Sequence, residues 1–452
     1  PAVEPTDKTR EPQLDVSANS IWARIASLPD SKTKFEAREV RLRGAVEVHR
    51  GAEREGERGT DVSGDAVDLI GQANNRFRVR AHGTVQRPAL VVSDAFRIVG
   101  PKLTVDQVEN TADVEGPGEL TQWVETREEL APGGAPPLLE ANGRPNRRPM
   151  VISWKSNMRF EGERRSEDGK NSIGYAHFLS GVVATIDEAR IAGEELDVYL
   201  NQPVSLSGAP KKQGDQPKLD LSHVRAKVDV EITNKKLDPA TGTLLEYQRI
   251  NGQDVSYQLP GRFQVSGPGL VRIYGRNAGG EANPSAPPRA PRDGNVAGRG
   301  LVSPVSNQRT VAALAPLELT RVEFRQGMRG RFQGPPQAPT NGERIAEFWG
   351  DVHVLHARVA DEKADLTEDM RPAPDDMIAL QSQYLWVDNL PGIGDDPAKS
   401  ASRTRMLARG DGQAARARTY GANASVIEGD RITYHTDTGT FLIVAGSRMA
   451  FK

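Results

Sequence analysis

Residues with chemical capacity are few and poorly grouped along this 452-residue chain. Of its seven histidines, His353 and His356 come nearest to a metal pair. A separation of three sends them to opposite faces of a strand, whereas a shared metal needs both on one side. Asp361, Glu362, Asp365, Glu368, Asp369, Asp375 and Asp376 could hold calcium by number, but their spacing fits no calcium loop and a solvated run is the simpler reading. No Gly-x-Ser-x-Gly elbow occurs, nor a Gly-rich phosphate loop ending in Lys-Ser/Thr. Gly116-Pro117-Gly118 and Gly267-Pro268-Gly269 sit at strand ends with no helix after them and read as turns. Arg409-Gly410-Asp411 spells an adhesion tripeptide of the kind that arises by chance. Asn423-Ala424-Ser425 is a glycosylation acceptor only in a compartment that glycosylates. Cysteine is absent, which removes disulfides, thiol nucleophiles and thiolate metal sites. Nothing here argues for an enzyme, a metal or a cofactor.

The elements that carry these residues are more informative than the residues themselves. Val426 to Gly446 reads as one β-hairpin arm: Ile427, Ile432 and Tyr434 alternate, Asp437-Thr438-Gly439 supplies a turn, and Phe441 to Val444 returns. The arm recurs as apolar-x-Gly-x-x-apolar-x-apolar. The copies are Val62-x-Gly64-x-x-Val67-x-Leu69, Ile98-x-Gly100-x-x-Leu103-x-Val105 and Ile191-x-Gly193-x-x-Leu196-x-Val198. Ile250-x-Gly252-x-x-Val255-x-Tyr257 and the Ile427 copy complete the set. A second signature, Gly-x-Val-x-apolar, starts at Gly44 and Gly350, with a variant at Gly181. Repetition at this scale decides the fold class as all-β, in tandem hairpin repeats.

The repeats predict an arm over residues 1–13, modules over 14–127, 150–276 and 317–452, and linkers over 128–149 and 277–316. The linkers are rich in Gly and Pro, and a charged hairpin tip is expected at 51–60. Leu14 to Ile25 reads as the end of an incomplete earlier module. Polar loops are expected at 361–376 and 391–403, and a short helix is conceivable only near Asp187 or within 361–370. Hydrophobic residues make up 37% and aromatics 5%, thin for one large core and suited to extended sheets with a narrow apolar face. A net charge of −2 gives no electrostatic case for nucleic acid or an acidic membrane surface. No apolar run is long enough for a membrane-spanning helix. A chain starting at Pro1 without Met reads as a mature or cut form whose leader, if any, is gone.

Gly350-Asp351-Val352-His353-Val354, with Glu428-Gly429-Asp430-Arg431-Ile432-Thr433-Tyr434 and its Thr-Gly turn and returning strand, resembles the OstA-like family. These are periplasmic lipopolysaccharide-transport proteins of the LptA type and the matching periplasmic part of the outer-membrane assembly protein. The resemblance covers the strand pairs of all three modules, about half the chain, and contains no catalytic residue. It implies a stacked, V-shaped or jellyroll-like β structure, open along one side, whose apolar inner face holds the acyl chains of an amphiphile. Alternation would then let Val46, Val48, Val67, Leu69, Phe77, Val79, Leu103 and Val105 line one groove. Leu196, Val198, Val255, Tyr257, Phe263 and Val265 would line the next, and Ile432, Tyr434, Phe441 and Ile443 the last. A plain, filled sandwich core is the other reading of the same alternation.

Two functions follow. One is an amphiphile-binding bridge or chaperone in the periplasm or cell envelope of a Gram-negative-type bacterium, joined by strand addition to its own copies or to other OstA-like proteins. The other is a structural protein of the envelope, the extracellular surface or a filament, a stiff rod that carries no cargo.

Overall fold

The computed structural model describes residues 14–27, 35–51, 59–71, 76–93, 96–125, 147–166, 169, 171–206, 221–238, 241–258, 262–276, 316–332, 344–390, 403–421, 424–435, 439–444 and 448–451. The arm at 1–13, most of the tip at 51–60, most of each predicted linker, most of 391–403, and Asn423 lie outside them.

Among the described residues every regular element is a strand. The first are β1 (Leu14–Ser17), β2 (Ser20–Ser27), β3 (Phe35–Arg50), β4 (Thr60–Gly71), β5 (Phe77–His82), β6 (Ala89–Val92) and β7 (Phe96–Gly100). β8 (Lys102–Asp106), β9 (Thr111–Glu115), β10 (Gly118–Glu125), β11 (Arg147–Trp154), β12 (Asn157–Arg165), β13 (Ser172–Ile186) and β14 (Ala189–Leu200) follow. Next come β15 (Leu221–Leu237), β16 (Leu244–Gln258), β17 (Arg262–Ser266), β18 (Gly269–Arg276), β19 (Leu317–Phe324), β20 (Gly327–Phe332) and β21 (Arg344–Val359). The last are β22 (Ile378–Leu390), β23 (Arg403–Arg409), β24 (Ala415–Thr419), β25 (Ser425–Gly429), β26 (Arg431–His435), β27 (Thr440–Val444) and β28 (Arg448–Phe451).

Among the described residues all pairings are antiparallel and trace two rows. The first row runs β2-β3-β4-β5-β8-β9-β12-β13-β14-β15-β16-β17-β20-β21-β22-β23-β26-β27. The second runs β1-β3-β4-β6-β7-β10-β11-β13-β14-β15-β16-β18-β19-β21-β22-β24-β25-β28. Long strands (β3, β4, β13 to β16, β21 and β22) belong to both rows, and elsewhere two short strands lie end to end. Between β4 and β13 the rows close on each other, so that β4, β5, β8, β9, β12, β13, β11, β10, β7 and β6 form a closed ten-stranded barrel. At ~4.8 Å between neighbouring strands, each row extends about 80 Å.

Where the rows meet, the backbone is irregular in a repeated way. β3, β13, β15 and β21 each carry one extra residue there against their partners, a β-bulge. The bulges hold left-handed residues: Gly44-Ala45, Ser180-Gly181, Val228-Asp229 and Gly350-Asp351. Three of these sites hold the glycine of the Gly-x-Val signature, because glycine adopts positive φ without a Cβ clash. The Gly-Pro-Gly segments also lie on this line, and each passes the chain from the first row to the second, β9 to β10 and β17 to β18.

Across both predicted linkers the flanking strands pair directly, β10 with β11 and β18 with β19. One hydrophobic cluster runs from Leu42 to Tyr434. The conceivable helices are absent. Asp187 and Glu188 make the turn between β13 and β14, with Asp187 left-handed. In the 360s, the Asp361 carboxylate accepts from the Lys363 and Ala364 amides at 2.8 and 3.0 Å, a local bond that competes with helix. The arm at 426–446 also divides differently from the reading above. Its hairpin is β26 and β27 alone, pairing Ile432 with Ile443 and Tyr434 with Phe441, while Ile427 belongs to the other row.

Candidate apolar groove

Each copy of the repeat motif spans the junction once. Val62, Ile98, Ile191, Ile250 and Ile427 lie in the second row. The motif glycines Gly64, Gly100, Gly193, Gly252 and Gly429 follow at the junction. Val67, Leu103, Leu196, Val255 and Ile432 then open the first row, and Leu69, Val105, Val198, Tyr257 and Tyr434 stand one step farther out. A methyl at Gly100 would overlap the Val114 side chain, and one at Gly252 would overlap Val265. First-row side chains therefore lie over second-row backbone, and the two rows face each other. Trp154 against Phe178, centroids 5.3 Å apart, and Phe324 against Phe348, 5.6 Å apart, fill the same line where glycine is replaced by bulk.

Followed strand to strand, these positions form unbroken apolar ladders. In the first row the inner ladder begins Ile21, Leu42, Val67, Ala81, Leu103 and Val114. It continues Met158, Phe178, Leu196, Ala226, Val255 and Val265. It ends Met328, Phe348, Leu385, Ala408, Ile432 and Ile443. The next ladder out begins Ala23, Val40, Leu69, Val79, Val105 and Ala112. It continues Phe160, Ala176, Val198, Val224, Tyr257 and Phe263, then Gly330, Ala346, Val387, Met406, Tyr434 and Phe441.

The second row carries one such ladder. It runs Val16, Val48, Val62, Val91, Ile98 and Leu120, then Ile152, Ala184, Ile191, Ile232 and Ile250, then Val271, Val322, Val354, Leu380, Ala417 and Ile427. One step farther out its register is mixed, with Gln122, Asn234, Gln248, Thr320, His356, Thr419 and Ser425 among Met150, Ile186 and Ile273.

All eighteen residues predicted from sequence lie on this inner face. Val46, at the junction, and Val48 belong to the second row; the other sixteen belong to the first. Val46, Val48, Val67, Leu103, Leu196, Val198, Val255, Val265, Ile432 and Tyr434 are buried and form a floor. Leu69, Phe77, Val79, Val105, Tyr257, Phe263, Phe441 and Ile443 are half-buried and reach solvent. Sequence reasoning missed nearly all of the second-row ladder. The sequence carries its signal, since Val62, Ile98, Ile191, Ile250 and Ile427 head every copy of the motif.

Exposure along the inner face is uneven. Ala184, Ile191, Ile232 and Ile250 are only partly buried in succession, as are Val224, Tyr257 and Phe263 in the first row. From Val271 to Ile427 the second-row ladder is buried throughout, and in the first row Met406 and Tyr434 are buried with it. Burial pushes the Tyr257 phenol above its ordinary pKa. On the polar margin, His356 lies 3.0 Å from the Thr320 hydroxyl, and burial holds its imidazole below the usual range despite the charge of Asp376.

The outer faces carry the charge. Asp197, almost fully buried, accepts from Tyr175 at 2.6 Å and Lys227 at 2.9 Å, with the His177 ring nitrogen at 2.7 Å. Burial raises that carboxyl, and the three partners more than offset it, leaving it below the usual carboxylate range. His353 lies 3.0 Å from Asp351, on the face opposite His356. Among the described residues no three potential metal ligands come together. No helix among them is long and apolar enough to cross a membrane, which says nothing of crossing by strands. Comparison with protein-family models, with curated proteins and with solved structures gives no match.

Proposed function

We propose that this chain is a non-enzymatic cell-envelope protein that holds or conducts the acyl chains of an amphiphile, a lipopolysaccharide-like lipid, between its two rows. In this reading the rows outside the closed barrel make an open jellyroll, V-shaped in section, of the OstA-like kind. The observation that carries it is the inner face of β13 to β17, where a buried apolar floor is flanked by partly exposed Ile191, Ile232 and Ile250 on one row and Val224, Tyr257 and Phe263 on the other. An acyl chain requires a continuous apolar slot and few polar contacts, and ~25 cal/mol is gained per Å² of apolar surface removed from water. The polar margin of the second row then marks the side where a head group stays in water.

Assembly through strand addition fits the ends of the rows. Among the described residues, β1, β2, β27 and β28 each pair on one side only. Ile21, the end of the inner ladder, is 56% exposed, so an added strand would extend the apolar slot as well as the hydrogen bonding. The compartment we infer is the periplasm or envelope, with the extracellular surface as the alternative. A second reading, a cargo-free structural rod, draws on the filled section from Val271 to Ile427.

Native mass spectrometry of the purified protein, followed by lipid extraction, separates the two. The expected result is a co-purifying glycolipid or phospholipid at fixed stoichiometry, lost in Phe263→Asp. A lipid-free protein that still forms ordered chains through its ends would favour the rod.

A further inference from the structure

On the outer face of the second row, away from the groove, the segment 360–377 stands over the sheet and walls one side of an open cleft of about 420 Å³. The segment is anchored by its own hydrophobic cluster, in which Leu366 and Met377, each 1% exposed, join Leu319 and Ala357. The Tyr274 hydroxyl donates to the Ala364 carbonyl at 2.9 Å. Arg272 grips Asp365 with two nitrogens at 3.2 and 2.6 Å, and Arg321 reaches the same carboxylate at 3.3 Å. The cleft is thus held open by fixed contacts.

Its charge is unusual for a sheet surface. Arg249, Arg272 and Arg321 are direct cross-strand neighbours. Like charges placed opposite one another destabilise a sheet. Asp365 answers two of them, and Arg321 also pairs with Glu323. Arg249 shares the single carboxylate of Glu231 with Arg190, and its Nε is buried without a hydrogen-bond partner. Lys235, 5.0 Å over the Tyr247 ring, and Lys363 on the lip join Arg249 and Arg272 in the lining, four cations against Glu362 and Asp365, with Arg321 behind it. Tyr247 and Tyr274, stacked at 5.5 Å, supply an aromatic wall.

We propose that this cleft binds an anionic sugar, a hexose-sized ring bearing phosphate or carboxylate. Guanidinium groups bind such anions through paired N–H donors. Aromatic rings pack against the C–H face of a sugar, and the volume lies within the range of small-molecule sites. The acidic run in the 360s supplies Asp365, which sets the arginines in place.

Isothermal titration of the full chain at low salt tests the assignment, with glucose 6-phosphate, glucose and inorganic phosphate as probes. Glucose 6-phosphate is expected to bind one to one, at least tenfold tighter than either fragment. Lys363→Gln, on an exposed loop, should weaken it about fivefold, and Arg249→Gln at least tenfold. Arg159→Gln, on the outer face of the first row, should change nothing. An alkyl glucoside 6-phosphate in micelles tells the sources apart: equal affinity supports a free sugar phosphate, and affinity at least tenfold tighter supports a lipid head group. Inorganic phosphate binding as tightly as the sugar phosphate, absence of binding, or indifference to both variants would overturn the proposal.

Discussion

The central strands β13 to β17 and the C-terminal strands β21 to β26 share one register and differ in how far their second-row residues are covered. In the centre the inner ladder passes through Phe178, Leu196, Ala226 and Val255, all buried, and the facing isoleucines of the second row are only partly buried. Near the C-terminus Phe348, Leu385 and Ile432 stand in the same ladder, Met406 and Tyr434 fill the next, and the facing residues are buried. One backbone pattern therefore carries two degrees of exposure. Inner-ladder volume does not separate them, because Phe178, Leu196, Ala226 and Val255 in the centre match Phe348, Leu385, Ala408 and Ile432 near the C-terminus.

Substitutions with opposite consequences in the two sections would break or sharpen that contrast. Leu385→Asp, at a fully buried site of the filled section, should cost about 3–5 kcal/mol of stability by urea unfolding. The same charge at Ile232, in the open section, should cost only about 1 kcal/mol while abolishing co-purification of lipid. Equal destabilisation at both sites would mean that the centre is packed as well. Gly252→Ala comes next, at about 1–3 kcal/mol, because its methyl must displace Val265 at the junction.

The pH dependence follows from His356. Its folded pKa is depressed, so below the unfolded value of about 6.5 the unfolded chain takes up a proton that the folded one refuses. Stability should therefore fall as pH drops from about 6.5 toward the folded pKa, and His356→Phe should flatten the profile over that window. A slope unchanged in this variant would assign the acid sensitivity elsewhere. The smallest effect is expected at Gln248→Leu on the polar margin of the second row: a stability change within about 0.5 kcal/mol, and lipid stoichiometry preserved.

Much of this arrangement was legible in the sequence. The repeat, the strands and the first-row apolar positions follow from alternation and recurring glycine. The second-row ladder did not emerge, for a geometric reason. In Val62-x-Gly64-x-x-Val67 the inner face is even-numbered before the junction and odd-numbered after it. Strands that pass from one sheet to the facing one change phase at a bulge or bend, and a period-two reading does not survive the step. The outer-face cleft escaped for another reason: Arg249, Arg272 and Asp365 are brought together only by strand pairing and a covering loop.

The open centre can be probed with a photo-crosslinking phenylalanine placed at three tyrosines in turn, each in protein exposed to a phospholipid carrying a reporter. Tyr257 lies on the inner face, and Tyr199 and Tyr384 lie on the outer face of the first row. Lipid adducts are expected at position 257 and none at 199 or 384. Adducts at the outer positions, or their absence at 257 in a folded protein, would contradict a lipid-filled slot.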